Sequence, residues 1–207
     1  MSKRISTIVK YIDKKDIVLD IGCDSAILSI YLAKNKIKSY ASDIKENIIK
    51  SDELIVKEMN LEDYVTLIVS DGLKNIDESL PINTLVLAGM GTHTILEILN
   101  VDKKYDKIIT ISNNDYYILR KEMMGRGYII DKEEIIYDKD KYYNLIIFKP
   151  GKKEYTEKEL IVGVNHQNKK ELKNYQKFLI EKFSKILSNN LPKESKTKLE
   201  KIIKYLK

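Results

Sequence analysis

Asp20, Gly22, Cys23 and Asp24 follow one short apolar run, and Asp43 ends the next. Ser70, Asp71 and Gly72 close a third run, Ala88–Gly91 a fourth, and Ser112, Asn113 and Asn114 a fifth. Packing a core needs none of these small, acidic or amide residues. Carboxylates and amides gathered at strand ends accept hydrogen bonds from hydroxyls and amines and attract cationic groups. Asp43 lies about 20 residues beyond the glycine turn, the separation at which an acid accepts both hydroxyls of a ribose. Asp71 is placed to accept from the amine of an adenine.

Positioning these ends requires a layered framework. Ile5, Ile8, Val9 and Ile12 form a helical stripe, and strands are predicted at 16–22, 38–43, 64–72, 82–91 and 106–112. Helices are predicted between them at 26–35, 45–60 and 92–99, and after them at 116–127. Such alternation calls for a parallel sheet covered on both faces. Two β-rich runs around the polar Asp138–Lys141 turn leave no room for a crossover helix, so the last two of seven strands form an antiparallel hairpin. Pro150-Gly151 is expected to close this first domain, 1–150. Residues 151–207 follow a helical period: Leu172, Tyr175, Leu179, Phe183 and Ile186, then Leu199, Ile202, Ile203 and Leu206. Two helices joined at Asn189–Pro192 should pack as an antiparallel, coiled-coil-like pair.

The 207 residues carry a net charge of +6, unevenly placed. Residues 151–207 hold 15 Lys against 7 Glu, whereas residues 1–150 hold 22 Lys plus Arg against 24 acids. A basic appendage on a near-neutral body points to a polyanionic partner, although a lysine-rich composition alone produces some of the excess. One cysteine excludes intrachain disulfides and cysteine-rich zinc sites, and two histidines leave little for a protein-built metal centre, so no metal is expected. No run of eighteen apolar residues exists, and the N-terminus lacks the apolar core of a signal peptide. The expectation is a cytoplasmic monomer without membrane contact.

Two cofactor classes compete for the Gly22 turn. A nicotinamide dinucleotide brings a pyrophosphate and favours G-x-G-x-x-G, with anion binding at a helix N-terminus. Asp20-Ile-Gly-Cys-Asp-Ser-Ala26 has one glycine, with carboxylates on either side that repel phosphate. A phosphate-free nucleoside bearing positive charge fits better, and S-adenosyl-L-methionine has a sulfonium, an ammonium, a ribose and an adenine. With the closing hairpin, the fold class is α/β: a seven-stranded Rossmann-like methyltransferase sheet plus a C-terminal helical domain.

Over nearly its whole length the chain resembles the bacterial tRNA (adenine(22)-N1)-methyltransferases. The matching stretches are DIGCDSAIL, SDGL, LAGMGTHTI, SNND followed by Arg120, GYIIDKEEIIYDKDKYYNL and IVGV. The Ala-Gly-Met-Gly element after the fourth strand distinguishes it from the common N6-adenine enzymes, which carry Asp/Asn-Pro-Pro-aromatic there. Ser25–Ser29 replaces a usual His-Ala-Tyr-Leu-Pro, and Asp43, Thr92 and Ser112 stand where Glu, Gly and Pro are usual. The resemblance implies S-adenosylmethionine-dependent methylation of N1 of an adenine in tRNA. The base-facing departures leave open another RNA site, a small-molecule acceptor, or a binding module without chemistry.

On this reading Asp20, Ile21 and Gly22, with Asp43 and Ile44, hold the methionine and ribose of the cofactor. Asp71, Gly72, Ala88, Gly89 and Met90 complete its pocket. Asp24 and Asn113 are the candidate catalytic residues, stabilising charge that moves onto the purine. Asp24 has a competing role as a helix N-cap and Asn113 as a turn residue. Cys23 reads as a small turn residue rather than a nucleophile, and His93 as a helix-start residue. Arg120, Lys169, Lys170, Lys173 and Lys177 are expected to grip the RNA backbone.

Overall fold

The computed structural model describes residues 2–207. Helix α1 (Lys3–Val9) precedes β1 (Val18–Ile21), α2 (Ile27–Lys34), β2 (Ser39–Asp43), α3 (Glu46–Glu58) and β3 (Val65–Val69). Then come β4 (Thr84–Ala88), α4 (Thr92–Ile98), β5 (Lys107–Ser112), α5 (Tyr116–Gly125), β6 (Tyr128–Asp138) and β7 (Lys141–Pro150). Helices α6 (Glu157–Val162), α7 (Lys169–Leu187) and α8 (Lys193–Leu206) end the chain.

The seven strands lie in the order β3-β2-β1-β4-β5-β7-β6. β1 to β5 are parallel, and β7 inserts antiparallel between β5 and β6. The predicted sheet and closing hairpin are both present. β1 pairs β2 on one side and β4 on the other, so the loops leaving β1 and β4 diverge and open a crevice at the strand ends. Val18, Leu19, Asp20 and Ile21 are all buried, the all-apolar pattern of a central parallel strand broken by one acid. Helices α1 and α2 cover one face around Ile8, Leu28, Leu32, Val86, Ile109 and Ile147. On the other face Leu87, Ile95, Leu119, Met123, Ile146 and Phe148 form the larger core under α4 and α5.

The first body runs past Gly151. Tyr155 and Leu160 are buried in the larger core, and the Ile130 N–H donates to the Tyr155 hydroxyl at 2.9 Å. A capping box, Thr156 with Glu159, starts α6 against α5, and the Gln167 N–H donates to the Glu133 carbonyl of β6. The helical pair proper begins at Asn168, whose side chain caps α7. Sequence period alone assigned 151–167 to the appendage, because a short amphipathic helix buries the same residues on either partner.

Candidate active site

The loop after β1 is built from unusual backbone. Gly22 sits at φ +73, and a Cβ there would lie 2.7 Å from the Met90 methyl. Asp24 and Ala26 also adopt positive φ, 55 and 43. Ala26 is the N-cap of α2 and no side chain caps that helix. Asp24 therefore does not serve as the cap, and its exposed carboxylate faces a cavity of about 520 Å³ with Asp20, Gly22, Ala88 and Gly89.

Asp20 is 7% exposed, and burial alone pushes its carboxyl up to about 7. Three further acids surround the same turn. Burial, then the nearby Asp24 and Asp43, raises the carboxyl of the buried Asp52 of α3. Burial, then Asp20, pushes Cys23 up to about 12, so it stays a neutral thiol and is no nucleophile at neutral pH. Asp43 accepts from the Lys45 N–H at 2.9 Å, Asp71 is exposed beside Lys74, and the Ile44 side chain is 63% exposed. Gly72, at φ +60, packs against Ile98, while the Ile21 side chain lies in the core and offers only its backbone.

Asn113 is fixed by two bonds. Its N–H donates to the Met90 carbonyl at 2.9 Å, and Nδ2 donates to the Gly89 carbonyl at 2.8 Å. With the amide donor engaged, Oδ1 is left as an acceptor at the end of β5. Beneath it Thr92 locks the β4 and β5 loops together, its N–H donating to Asn114 Oδ1 at 3.0 Å and its hydroxyl meeting Ser112 Oγ at 2.8 Å. His93 is exposed beside Glu97.

Arg120 is a correction. The guanidinium expected on RNA is 1% exposed, bonded through Nε and Nη2 to Glu133 at 3.1 and 2.6 Å and through Nη1 to the Leu160 carbonyl at 2.8 Å. Gly163 passes so close to this pair that a Cβ would meet Glu133 Oε2 at 2.7 Å and Arg120 Nη2 at 2.8 Å. Arg120 ties α5, β6 and α6 together, and no face of it is free for a phosphate. Lys169, Lys170, Lys173 and Lys177 are exposed on α7.

Two site residues escaped the sequence reading. Arg4 of α1 lines the same cavity as Asp20 and Asp24, stacks 4.7 Å from the Tyr143 ring, and leaves its buried Nε without a partner. Asp52 is 3% exposed. Both carried a signal: Arg4 sits four residues before Ile8, and Asp52 falls between Ile49 and Val56 on an apolar stripe. A charge on a buried stripe needs a partner or a ligand.

A family model described as a methyltransferase domain matches residues 1–146. The M. capricolum TrmK structure in complex with S-adenosyl-homocysteine superposes with a TM-score of 0.89 at 30% identity, over 100% of this chain and 96% of that one. The chain belongs to the tRNA (adenine(22)-N1)-methyltransferase family. A Bacillus subtilis member bearing that name is 26% identical over 157 residues, 73% of this chain and 66% of that protein. A Mycoplasma genitalium protein provisionally named a tRNA methyltransferase is 29% identical over 170 residues, 78% of this chain and 76% of that one. In this chain one cavity is lined by the Gly22 turn, an uncompensated buried Asp20 and Arg4, whose Nε has no partner. Together these suit a zwitterionic amino acid attached to a cationic nucleoside.

Proposed function

We infer that this chain transfers a methyl group from S-adenosyl-L-methionine to N1 of an adenine in tRNA, at position 22, and acts as a monomer in the cytoplasm. The observation that carries the cofactor assignment is Asp20: a carboxylate buried with nothing to offset it, lining one cavity with Gly22, Asp24 and Arg4. Among the described residues no helix is long and apolar enough to cross a membrane.

The cofactor supplies a methyl carbon on a sulfonium; as the bond from N1 to that carbon forms, the carbon–sulfur bond breaks and the positive charge passes to the purine. Neutral adenine presents its N1 lone pair in the ring plane, so no side chain has to remove a proton. The task left to the protein is alignment and charge stabilisation. Asp20 takes the ammonium end, Arg4 the carboxylate, Asp43 the ribose and Asp71 the adenine amine. Asn113 Oδ1 and the Asp24 carboxylate face the developing purinium. A base inside folded tRNA reaches them only when splayed out of its stack, and the α7 lysines hold the backbone meanwhile.

Incubation with labelled cofactor and total tRNA, followed by mapping of the modified base, tests the reaction. Asp24→Ala should lower kcat by about 100-fold or more, the scale of losing one preorganised electrostatic partner, with cofactor affinity changed only a few-fold. Unchanged turnover removes Asp24 from the chemistry.

A further inference from the structure

We propose that the cleft between α5 and the C-terminal helical pair binds a second nucleobase of the tRNA, unstacked close to the methylated adenine; the inference rests on the tRNA reading above. Helix α7 is amphipathic over nineteen residues, yet none of them is fully buried. Its apolar stripe meets the body at Tyr142 through Tyr175 and Phe178 and leaves a gap beside them. That gap is a cavity of about 450 Å³, walled by Tyr116 and Tyr117 of α5 and by Tyr175, Leu179 and Phe183 of α7. That volume falls within the range of about 300–1,000 Å³ typical of small-ligand sites.

Its walls suit a flat aromatic ring. The Tyr175 ring is braced from behind by Tyr142 at 5.2 Å between centroids, so it is held as a surface rather than left free to collapse into the gap. Tyr117 and Ile118 are exposed at the rim, 37% and 45%. At the mouth two lysines balance Asp115 and Glu157, and the cation excess lies on the helices around it. Lys198 and Lys201 border it; Lys201 pairs with Glu157, and Lys198 has no acidic partner among the described residues. Around it, residues 168–207 hold twelve lysines against four glutamates. Tyrosine faces with lysines at their edges are the composition of single-stranded nucleic-acid sites, where bases stack and phosphates find cations.

Position limits which bases can reach it. Tyr116 lies three residues after Asn113, a reach of at most about 11 Å, and Asp115 lines the cleft mouth between them. At about 3.4 Å per stacked nucleotide, the occupant sits within a few nucleotides of the adenine held at Asn113. A base captured here offsets part of the cost of unstacking the strand and keeps the target from re-stacking.

The test uses tRNA carrying a single abasic site at each nucleotide flanking the modified adenosine within that reach. Wild-type protein should bind one abasic tRNA about tenfold or more weakly than intact tRNA, the scale of a lost base–aromatic stack. Tyr117→Ala should weaken binding to intact tRNA similarly, show no further loss on that abasic tRNA, and leave cofactor affinity unchanged. Tyr175→Phe, which keeps the ring, should bind like wild type. Equal binding to every abasic tRNA overturns the proposal, as do losses that multiply. So does a chain that self-associates on sedimentation and becomes monomeric with Tyr117→Ala, because a second copy then covers the cleft. Failure of the wild type to methylate any tRNA sinks the functional reading itself, and this inference with it; methylation without abasic sensitivity sinks only the cleft.

Discussion

Asp20 makes cofactor affinity depend on pH in a way that can be worked out in advance. Its carboxyl lies near 7 in the free protein against an ordinary 3.8, because burial disfavours the charge and no partner compensates. A cationic ligand favours the anion, so binding must expel the proton wherever Asp20 still carries it. With a free-state value of about 7, apparent affinity is divided by about 11 at about pH 6 and by about 1.1 at about pH 8, a tenfold difference. The same shift acts on folding with the opposite sense. A raised carboxyl favours the protonated native state, so its contribution to stability is complete below about 4 and is lost as pH rises through about 7. The shift of about 3 pH units corresponds to at most about 4 kcal/mol. Calorimetric titration with S-adenosylmethionine in two buffers of different ionisation enthalpy reads both affinity and protons released. The wild type should bind about tenfold more weakly at the lower pH and release close to one proton there. Asp20→Asn should bind weakly at both, release none of that proton, and be more stable than wild type at the higher pH. Asp24, Asp43, Asp52, the Cys23 thiol and Arg4 border the same turn, and the Asn variant separates their share. A flat wild-type affinity, or a slope that survives in Asp20→Asn, refutes the assignment.

Arg4→Ala should weaken S-adenosylmethionine by about tenfold, as expected for a lost charge-assisted pair, while leaving 5′-methylthioadenosine, which lacks the amino-acid part, unaffected; equal losses for both ligands would place Arg4 elsewhere. Glu133→Ala strands the buried Arg120 guanidinium, and urea denaturation should show a loss of about 3–5 kcal/mol. Replacing Lys169, Lys170, Lys173 and Lys177 by Gln should flatten the dependence of log Kd for tRNA on log salt by about 0.7–0.9 for each phosphate contact removed. Cofactor titrations on that variant should match wild type, and an unaltered salt slope would show that α7 does not grip the backbone.

The framework was open to reading along the chain because its signals are local. Strands ending in Gly22, Gly72 and Gly89–Gly91, the helical stripes between them, and the hairpin around Asp138–Lys141 each lie within a dozen residues. Every one of those strands forms, parallel as expected and with the last two as an antiparallel hairpin. The acids at the strand ends were equally plain, since a strand terminus facing a crevice needs no knowledge of its neighbours to be polar. What depended on distant partners was harder. Arg120 looks like a surface cation from its own segment; Glu133, Leu160 and Gly163 bury it from three other elements. Gly151 looks like a boundary, yet Tyr155 and Leu160 return to the core.

Sequence by itself thus determined the strand-and-helix order, the parallel sheet, and which ends carry acid. Only the folded chain decided which charges are left without a counterion. Whether an ionised group is satisfied depends on the dielectric and partners that packing brings within a few ångströms. Arg120 and Arg4 are the same residue type, and tertiary contacts alone make one a buried strut and the other an open hand.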